Sequence, residues 1–322
     1  MRVLLIKMSS LGDVVHALAA VTDAARAKPG IHFDWVVEEA YREIPKWHPA
    51  VGRTILSPLR RWRKSLVQTL RTGEWKRFRE ELRREHYDLA LDAQGLLKSA
   101  FVGLQARGDL CGRSASTARE PAAALLYTKR IRVNRELTEV EQLRDLFAKT
   151  LGYEKPRTAA EFGIDRQQFS RVRKGDYALL LHGAAWETKL WPEERWFQVG
   201  QRIREAGLDL LLPWGSDAER ERAERIAGKT GGEVLAQMTI AELAKVIAHA
   251  AFAVGLDTGL THIAIALGVR TVTLYGPSVP VYDGIAGGGL VNLCSTKGRV
   301  VDTSRRNMVA VNDVIKAVER WL

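Results

Sequence analysis

Short runs of consecutive apolar residues alternate along this chain with longer stretches in which apolar positions recur every three or four residues. The first run, 2–7, passes through the polar turn Met8-Ser9-Ser10-Leu11-Gly12-Asp13 into a helical period over 14–27. Unbroken apolar runs suit strands covered on both faces, and their alternation with amphipathic helices predicts a parallel α/β architecture. In the first half, 31–38, 53–56 and 87–92 read as strands, 74–85 as a charged helix and 137–151 as an amphipathic one. The pattern starts afresh at 177–182. Strands at 208–212, 252–256 and 271–275 follow, with a helix opening at Trp191-Pro192 and others at 217–227, 239–248, 259–267 and 312–322.

Two successive α/β units in 322 residues exceed one ordinary core, so two domains are expected. The stretch 152–157, with Gly152 and Pro156, is the best linker. It divides the chain into Rossmann-like domains at 1–155 and 156–322 facing a central cleft, the C-terminal helix being a candidate for packing back on the first. The segment 246–269 has one formal charge, Asp257, and is long enough to cross a bilayer. Gly255, Asp257, Thr258, Gly259, Thr261 and His262 interrupt it, which reads as strand, turn and helix of a soluble core. The opening apolar run is too short for a signal peptide, and two distant cysteines, Cys111 and Cys294, suggest neither disulfides nor zinc. A reducing cytoplasm is the expected compartment.

Charge divides unevenly. Residues 1–160 carry 29 basic against 19 acidic side chains, and 161–322 carry 20 against 19. Within 53–84 alone there are 11 basic residues, among them Arg60, Arg61, Arg63 and Lys64. By composition this is a solvated helix face, a nucleic-acid footprint, or a surface for anionic lipid or an acidic ligand.

Open α/β folds bind ligands at the carboxyl ends of their strands, where Asp13 stands. Aspartate is also a preferred helix cap, and the local pattern leaves both roles open. Gln94 and Lys98 follow the 87–92 strand in the same kind of turn and share a crevice with Asp13 if the two strands are neighbours. In the second half, Asp257-Thr258-Gly259-Leu260-Thr261-His262 follows a strand and opens a helix, so its amides form a phosphate cradle or simply a capped helix. There Asp257 is expected to hold the turn by accepting backbone amides. Lys189 adds a cation against the same phosphate, and Glu219 stands where an acidic residue meets ribose hydroxyls in dinucleotide folds. His182 and His262 fit packed, hydrogen-bonded side chains as well as reactive ones. The dinucleotide glycine fingerprint, the Walker loop, the Gly-x-Ser-x-Gly elbow, His-Glu-x-x-His and Asp-x-Asp are all missing, which points to helix dipoles and cations around any diphosphate.

The ordered motifs Lys7 to Asp13, Phe33-Asp34-Trp35-Val36-Val37-Glu38-Glu39, Arg60-Arg61-Trp62-Arg63-Lys64, Asp92 to Ser99 and Thr117-Ala118-Arg119-Glu120-Pro121 resemble the ADP-heptose:lipopolysaccharide heptosyltransferase I family. So do Lys189-Leu190-Trp191-Pro192-Glu193-Glu194, Leu212-Pro213-Trp214-Gly215, 257–262 and Tyr275-Gly276-Pro277, in the same order over nearly the whole chain. The resemblance implies a GT-B glycosyltransferase with an acceptor domain first and a nucleotide-sugar domain second. It implies inverting transfer of L-glycero-D-manno-heptose from ADP-heptose to the inner Kdo of Kdo2-lipid A, with no cofactor and no metal. Asp13 becomes the general base and Lys189 the stabiliser of the departing diphosphate. Glu219 falls to the donor ribose, Met238 to the adenine, and Asp257, Thr258, Gly259 and His262 to the diphosphate and heptose. Ser10, Gly12, Gln94, Arg60, Arg61, Arg63, Lys64, Lys98 and Arg119 fall to the acceptor. Gly183-Ala184-Ala185 stand where hydroxyl side chains are expected near the donor phosphate, leaving only their backbone amides for that contact.

An anionic glycolipid acceptor gives the basic segment a purpose and implies peripheral contact with the cytoplasmic face of the inner membrane, without nucleic acid. The rivals are another core glycosyltransferase of the same family, adding a later heptose or another sugar, and a non-catalytic basic nucleic-acid-binding protein. The latter leaves the neutral second domain without a role.

Overall fold

The computed structural model of the protein describes residues 1–57, 59, 73–282, 289–295 and 307–322. The chain divides into two compact units, Met1–Ile164 and Asp165–Leu322.

The first unit runs β1 (Arg2–Ile6), α1 (Leu11–Ala27), β2 (His32–Glu38), β3 (Val51–Ser57), α2 (Glu74–Arg83), β4 (Leu89–Asp92), α3 (Leu97–Gly103), β5 (Asp109–Arg113), β6 (Lys129–Ile131) and α4 (Glu139–Leu151). Its strands form one parallel sheet in the order β3-β2-β1-β4-β5-β6. β1 lies in the interior of the sheet with Val3 to Ile6 fully buried, which is why its apolar run is unbroken. Leu4 and Ile6 join Phe78, Leu82, Ala100 and Val102 from α2 and α3 on one face. On the other face Phe33, level with Val3, meets Phe147 of α4 at 6.1 Å between ring centroids. The strand order reverses between β1 and β4, so the connections leave their carboxyl ends in opposite directions and open a crevice there.

The division falls after Ile164, later than the 152–157 linker suggests, because the intervening segment is tied to the first unit. Arg144 donates to the Thr158 carbonyl at 2.9 Å, Arg26 pairs with Glu161, and Lys155 pairs with Glu141. Gly163, at φ +62°, lies so close to His48 and Thr22 that a Cβ there would collide with both.

The second unit runs β7 (Tyr177–Leu181), α5 (Glu193–Glu205), β8 (Asp209–Leu212), α6 (Asp217–Thr230), β9 (Glu233–Val234), α7 (Ile240–Ala248), β10 (Phe252–Leu256), α8 (Gly259–Ala266), β11 (Arg270–Tyr275), β12 (Leu290–Cys294) and α9 (Val311–Val318). Its parallel order, β12-β11-β10-β7-β8-β9, repeats the first sheet's plan with the reversal between β7 and β10. The C-terminal helix α9, a candidate for packing back on the first domain, is built into this unit's own core. Val314, Ala317 and Val318 join the cluster that holds Trp191, Trp196 and Phe252, and the Trp191 indole donates to the Val309 carbonyl at 2.9 Å.

The strands that the hydrophobic pattern misses, β5, β6, β9 and β12, lie at or next to sheet edges. β6 and β9 are only three and two residues long, and β5 and β6 read Asp-Leu-Cys-Gly-Arg and Lys-Arg-Ile, with no unbroken apolar run.

Two buried histidines couple this fold to pH. His48 accepts the Ala50 amide on Nδ1 at 3.1 Å, leaving its Nε2–H for Thr22 Oγ1 at 3.0 Å. Burial, with Arg26 nearby, lowers its pKa to about 4. Burial and Arg222 likewise lower His182 to about 4. Unfolded, both would bind a proton from about pH 6.5 downward. The stability each lends is therefore complete above pH 6.5 and is lost as pH falls from there to about 4, amounting to at most about 3 kcal/mol per site. The urea midpoint, measured by tryptophan fluorescence, is expected to fall steadily between pH 6.5 and 4.5; a flat midpoint across that interval contradicts the assignment.

Candidate active site

The turn after β1 is built around Asp13, the third residue of α1. Ser10 is the helix cap, and the Asp13 Oδ2 accepts its amide at 3.1 Å and its hydroxyl at 3.0 Å. The other oxygen faces cations: Oδ1 lies 2.8 Å from Arg119 Nη2 and 3.3 Å from Lys7 Nζ. Asp13 thus braces the helix start with one oxygen and meets charge with the other, so the two roles open in the sequence coexist. Its side chain is 14 % exposed, whereas the Lys7 side chain is wholly buried.

Glu139, from the first turn of α4, completes the cluster. Its Oε1 lies 3.4 Å from Arg119, 3.6 Å from the buried Arg113 and 3.9 Å from Lys7. Burial by itself would raise the Asp13 pKa, but Lys7, Arg119, His16 and the Ser10 amide outweigh it and hold the carboxyl well below the usual carboxylate range. Asp13 is therefore ionised at every physiological pH. Burial pushes the Lys7 ammonium below its ordinary value, with Asp13 and Glu139 opposing that fall.

The β1 and β4 strands are neighbours, and this brings Gln94 to the turn. Its Oε1 accepts the Met8 amide at 2.7 Å and the Ser9 amide at 3.3 Å, while its Nε2 donates to the Ser9 carbonyl at 2.6 Å. Beneath it, the buried Asp92 accepts the Gln94 and Gly95 amides and the Ser99 and Tyr127 hydroxyls. Gln94 therefore shapes the Asp13 turn, its amide being engaged by backbone. Lys98, on the first turn of α3, is half-buried and has no bond to this cluster among the described residues. Gly12 is buried within α1, and Ser10 is exposed. Arg60, Arg61, Arg63 and Lys64 lie outside the described residues.

The reversal point of the second sheet carries a parallel arrangement. Asp257, just after β10, is not engaged with backbone amides as the sequence suggests; its carboxylate meets side chains. Oδ2 accepts from Lys189 Nζ at 2.6 Å, and Oδ1 lies 3.2 Å from His262 Nε2. Lys189 also donates to the Asp257 carbonyl at 2.9 Å and stands 5.4 Å from the Trp186 ring centre. The buried Tyr282 hydroxyl is 3.0 Å from His262 Nδ1. With Nε2–H given to the carboxylate, that nitrogen accepts from the tyrosine in the neutral ring. Burial would raise the Asp257 pKa, but His262 and Lys189 hold it far below the usual range. Thr258 caps α8, whose first amides, from Gly259 onward, have no intrahelical partner, as at any helix start.

Glu219, on α6, accepts the Gly215 and Ser216 amides on Oε2 at 2.8 and 3.3 Å. It lies against Gly183 so closely that a Cβ at 183 would strike its carboxylate. A side chain at 183 would therefore require the Glu219 carboxylate to move aside. Ala184 and Met238 are half-buried and Ala185 exposed, in the loops after β7 and β9. Among the described residues, no group of His, Cys, Asp or Glu is placed to hold a metal ion.

Four members of these clusters escape sequence reasoning. Lys7 carries the one available signal, a lysine ending a strand buried on both faces, which must find anionic partners. Arg113, Glu139 and Tyr282 lie far from their partners along the chain, and nothing local distinguishes them.

Known proteins resemble this chain in sequence and fold. The family model for glycosyltransferase family 9 (heptosyltransferase) matches residues 75–308. Lipopolysaccharide heptosyltransferase 1 of Pseudomonas aeruginosa PAO1 is 50 % identical over 301 residues, covering 92 % of this chain and 84 % of the relative. The structure of E. coli heptosyltransferase WaaC with ADP superposes with a TM-score of 0.89 at 40 % identity, over the full length of both chains. WaaC with ADP-2-deoxy-2-fluoro heptose gives 0.86 at 41 %, over 99 % of each. The two six-stranded parallel sheets are thus those of a GT-B protein.

Because Gln94 holds three backbone groups of the Ser9 turn from a buried position, Gln94→Ala leaves two amides and a carbonyl without partners. The expected cost is about 2–4 kcal/mol of unfolding free energy, read from urea denaturation. A change under about 0.5 kcal/mol contradicts a bracing role.

Proposed function

The chain belongs to glycosyltransferase family 9, the heptosyltransferases, and from that membership we propose that it transfers L-glycero-D-manno-heptose from ADP-heptose to the inner Kdo of Kdo2-lipid A, with inversion. Its 50 % identity to a lipopolysaccharide heptosyltransferase 1 carries the reading. The two charge clusters supply the chemistry. Membership of an enzyme family removes the case for a non-catalytic nucleic-acid-binding protein.

On this reading the first unit binds the acceptor. Inversion needs the acceptor hydroxyl to attack the anomeric carbon from the face opposite ADP. As that C–O bond forms and the bond to the diphosphate breaks, the hydroxyl proton passes to Asp13. A carboxylate held so strongly ionised is a weak base. It suffices when attack runs ahead of proton loss, since the hydroxyl turns acidic as it bonds to an electron-poor carbon. Arg119, half-exposed at the end of the cluster, is the cation best placed to turn toward an anionic acceptor. Moving it off Oδ1 would raise the basicity of Asp13.

The second unit binds the donor. The leaving diphosphate gains negative charge, which Lys189 and the α8 amides offset. Glu219, with Oε1 uncommitted among the described residues, takes the ribose, and Met238 packs beside the adenine. The excess of basic residues in the first half of the chain, including Arg60, Arg61, Arg63 and Lys64, suits an acceptor carrying carboxylates and phosphates at the cytoplasmic face of a membrane. No helix among the described residues is long and apolar enough to cross one.

Incubation with ADP-heptose and Kdo2-lipid A is expected to add one heptose, seen by mass spectrometry. No addition by folded protein at saturating substrates overturns the assignment, and a preference for heptose-bearing over Kdo-terminated acceptors moves it to a later step. Asp13→Asn is expected to lower turnover by about 100-fold or more while ADP-heptose affinity stays within about twofold. Undiminished turnover excludes Asp13 as the base.

A further inference from the structure

We propose that Glu139 is a positioning residue of the Asp13 site: from the first turn of α4, its Oε1 holds the Lys7 ammonium and the Arg119 guanidinium against Asp13. The inference rests on the reading of Asp13 as the reacting carboxylate.

The geometry is that of a shared clamp. The two cations that meet Asp13 Oδ1, Arg119 at 2.8 Å and Lys7 at 3.3 Å, also face Glu139 Oε1, at 3.4 and 3.9 Å. Arg113 comes within 3.6 Å of the same oxygen and is fixed from behind by Gln142, one turn further along α4, at 2.8 Å. An acidic residue in a first helical turn needs only the helix dipole as its reason. One whose Oε1 meets three cations, two of which also meet a second carboxylate, does more than that.

Charge counting shows what it does. Facing this site are Lys7 from β1, Asp13 and His16 from α1, Arg113 and Arg119 from β5 and the loop after it, and Glu139 from α4; Asp92, at the end of β4, acts on Arg113. Three permanent or near-permanent cations stand against two nearby carboxylates. Without Glu139, Asp13 alone would face all three. Of these, Lys7 is the one able to release its proton, being wholly buried with the Ala93 carbonyl, at 3.3 Å, as its one further partner among the described residues. The sign follows: loss of an anion beside a buried ammonium moves its titration to lower pH. A neutral Lys7 would hold Oδ1 less strongly, leaving Asp13 oriented by Ser10 and Arg119.

Titration of Lys7 by NMR, in the intact chain with isotope-labelled lysine side chains and Lys7→Arg for assignment, tests the proposal without substrate. Glu139→Gln is expected to move the Lys7 midpoint down by about half a pH unit or more, and Glu139→Asp, with its charge drawn back, by less. The alkaline limb of the kcat–pH profile is expected to move with it. A Lys7 midpoint unchanged in Glu139→Gln overturns the proposal; should that variant not fold, an unchanged midpoint in Glu139→Asp does so. A displaced midpoint with an unmoved alkaline limb overturns the link to catalysis. Failure of the functional reading itself would show separately, as wild-type protein that adds no heptose.

Discussion

A lysine ammonium with no exposed surface sits at the end of the first strand, and the site around it follows from that charge. Desolvation alone would leave Lys7 neutral or expelled. Asp13 and Glu139 keep it in place, one from the helix that follows β1 and the other from the helix that follows β6. Each carboxylate in turn recruits Arg119, and Glu139 adds Arg113. Removing either acid would leave buried positive charge uncompensated, so this cluster stands or falls as a unit.

The second unit also builds a charge cluster at its reversal point, but after the fourth strand of its sheet, where Asp13 follows the first. Asp257 is the buried acid, and its partners are Lys189 and His262, the latter backed by Tyr282. Here one lysine meets one carboxylate, beside the amides that open α8. In both units the carboxylate is ionised because its partners were placed before any ligand arrives. That is preorganisation of the kind that lowers the cost of charge movement during group transfer.

Strand order explains why the two sites look alike. In each sheet the connections diverge after the two central strands, β1 and β4 or β7 and β10, and both charge clusters stand at those carboxyl ends. Bracing then comes from the neighbouring strand's turn: Gln94 supports the Ser9 backbone, and Asp92 supports Gln94. Gly183 packs directly beneath the Glu219 carboxylate.

Much of this protein was legible from its residues in order. Unbroken apolar runs marked the central strands because parallel strands are covered on both faces, and the turns at Asp13 and Asp257 stood out because a strand running through small and polar residues into a helix is a local pattern. The ordered motifs pointed to the family, and the comparisons agree. What local pattern could not supply was partnership. Glu139 looked like an ordinary helix-start acid and Arg113 like the end of a weak strand until the sheet order brought them beside Lys7 and Asp13. Asp257 was expected to bind backbone amides, yet Lys189, 68 residues away, takes its Oδ2. Hydrophobic periodicity is set by which face a residue turns to the core, and a sequence records that directly. The pairing of charges depends on which strand ends become neighbours, and only the folded chain decides it.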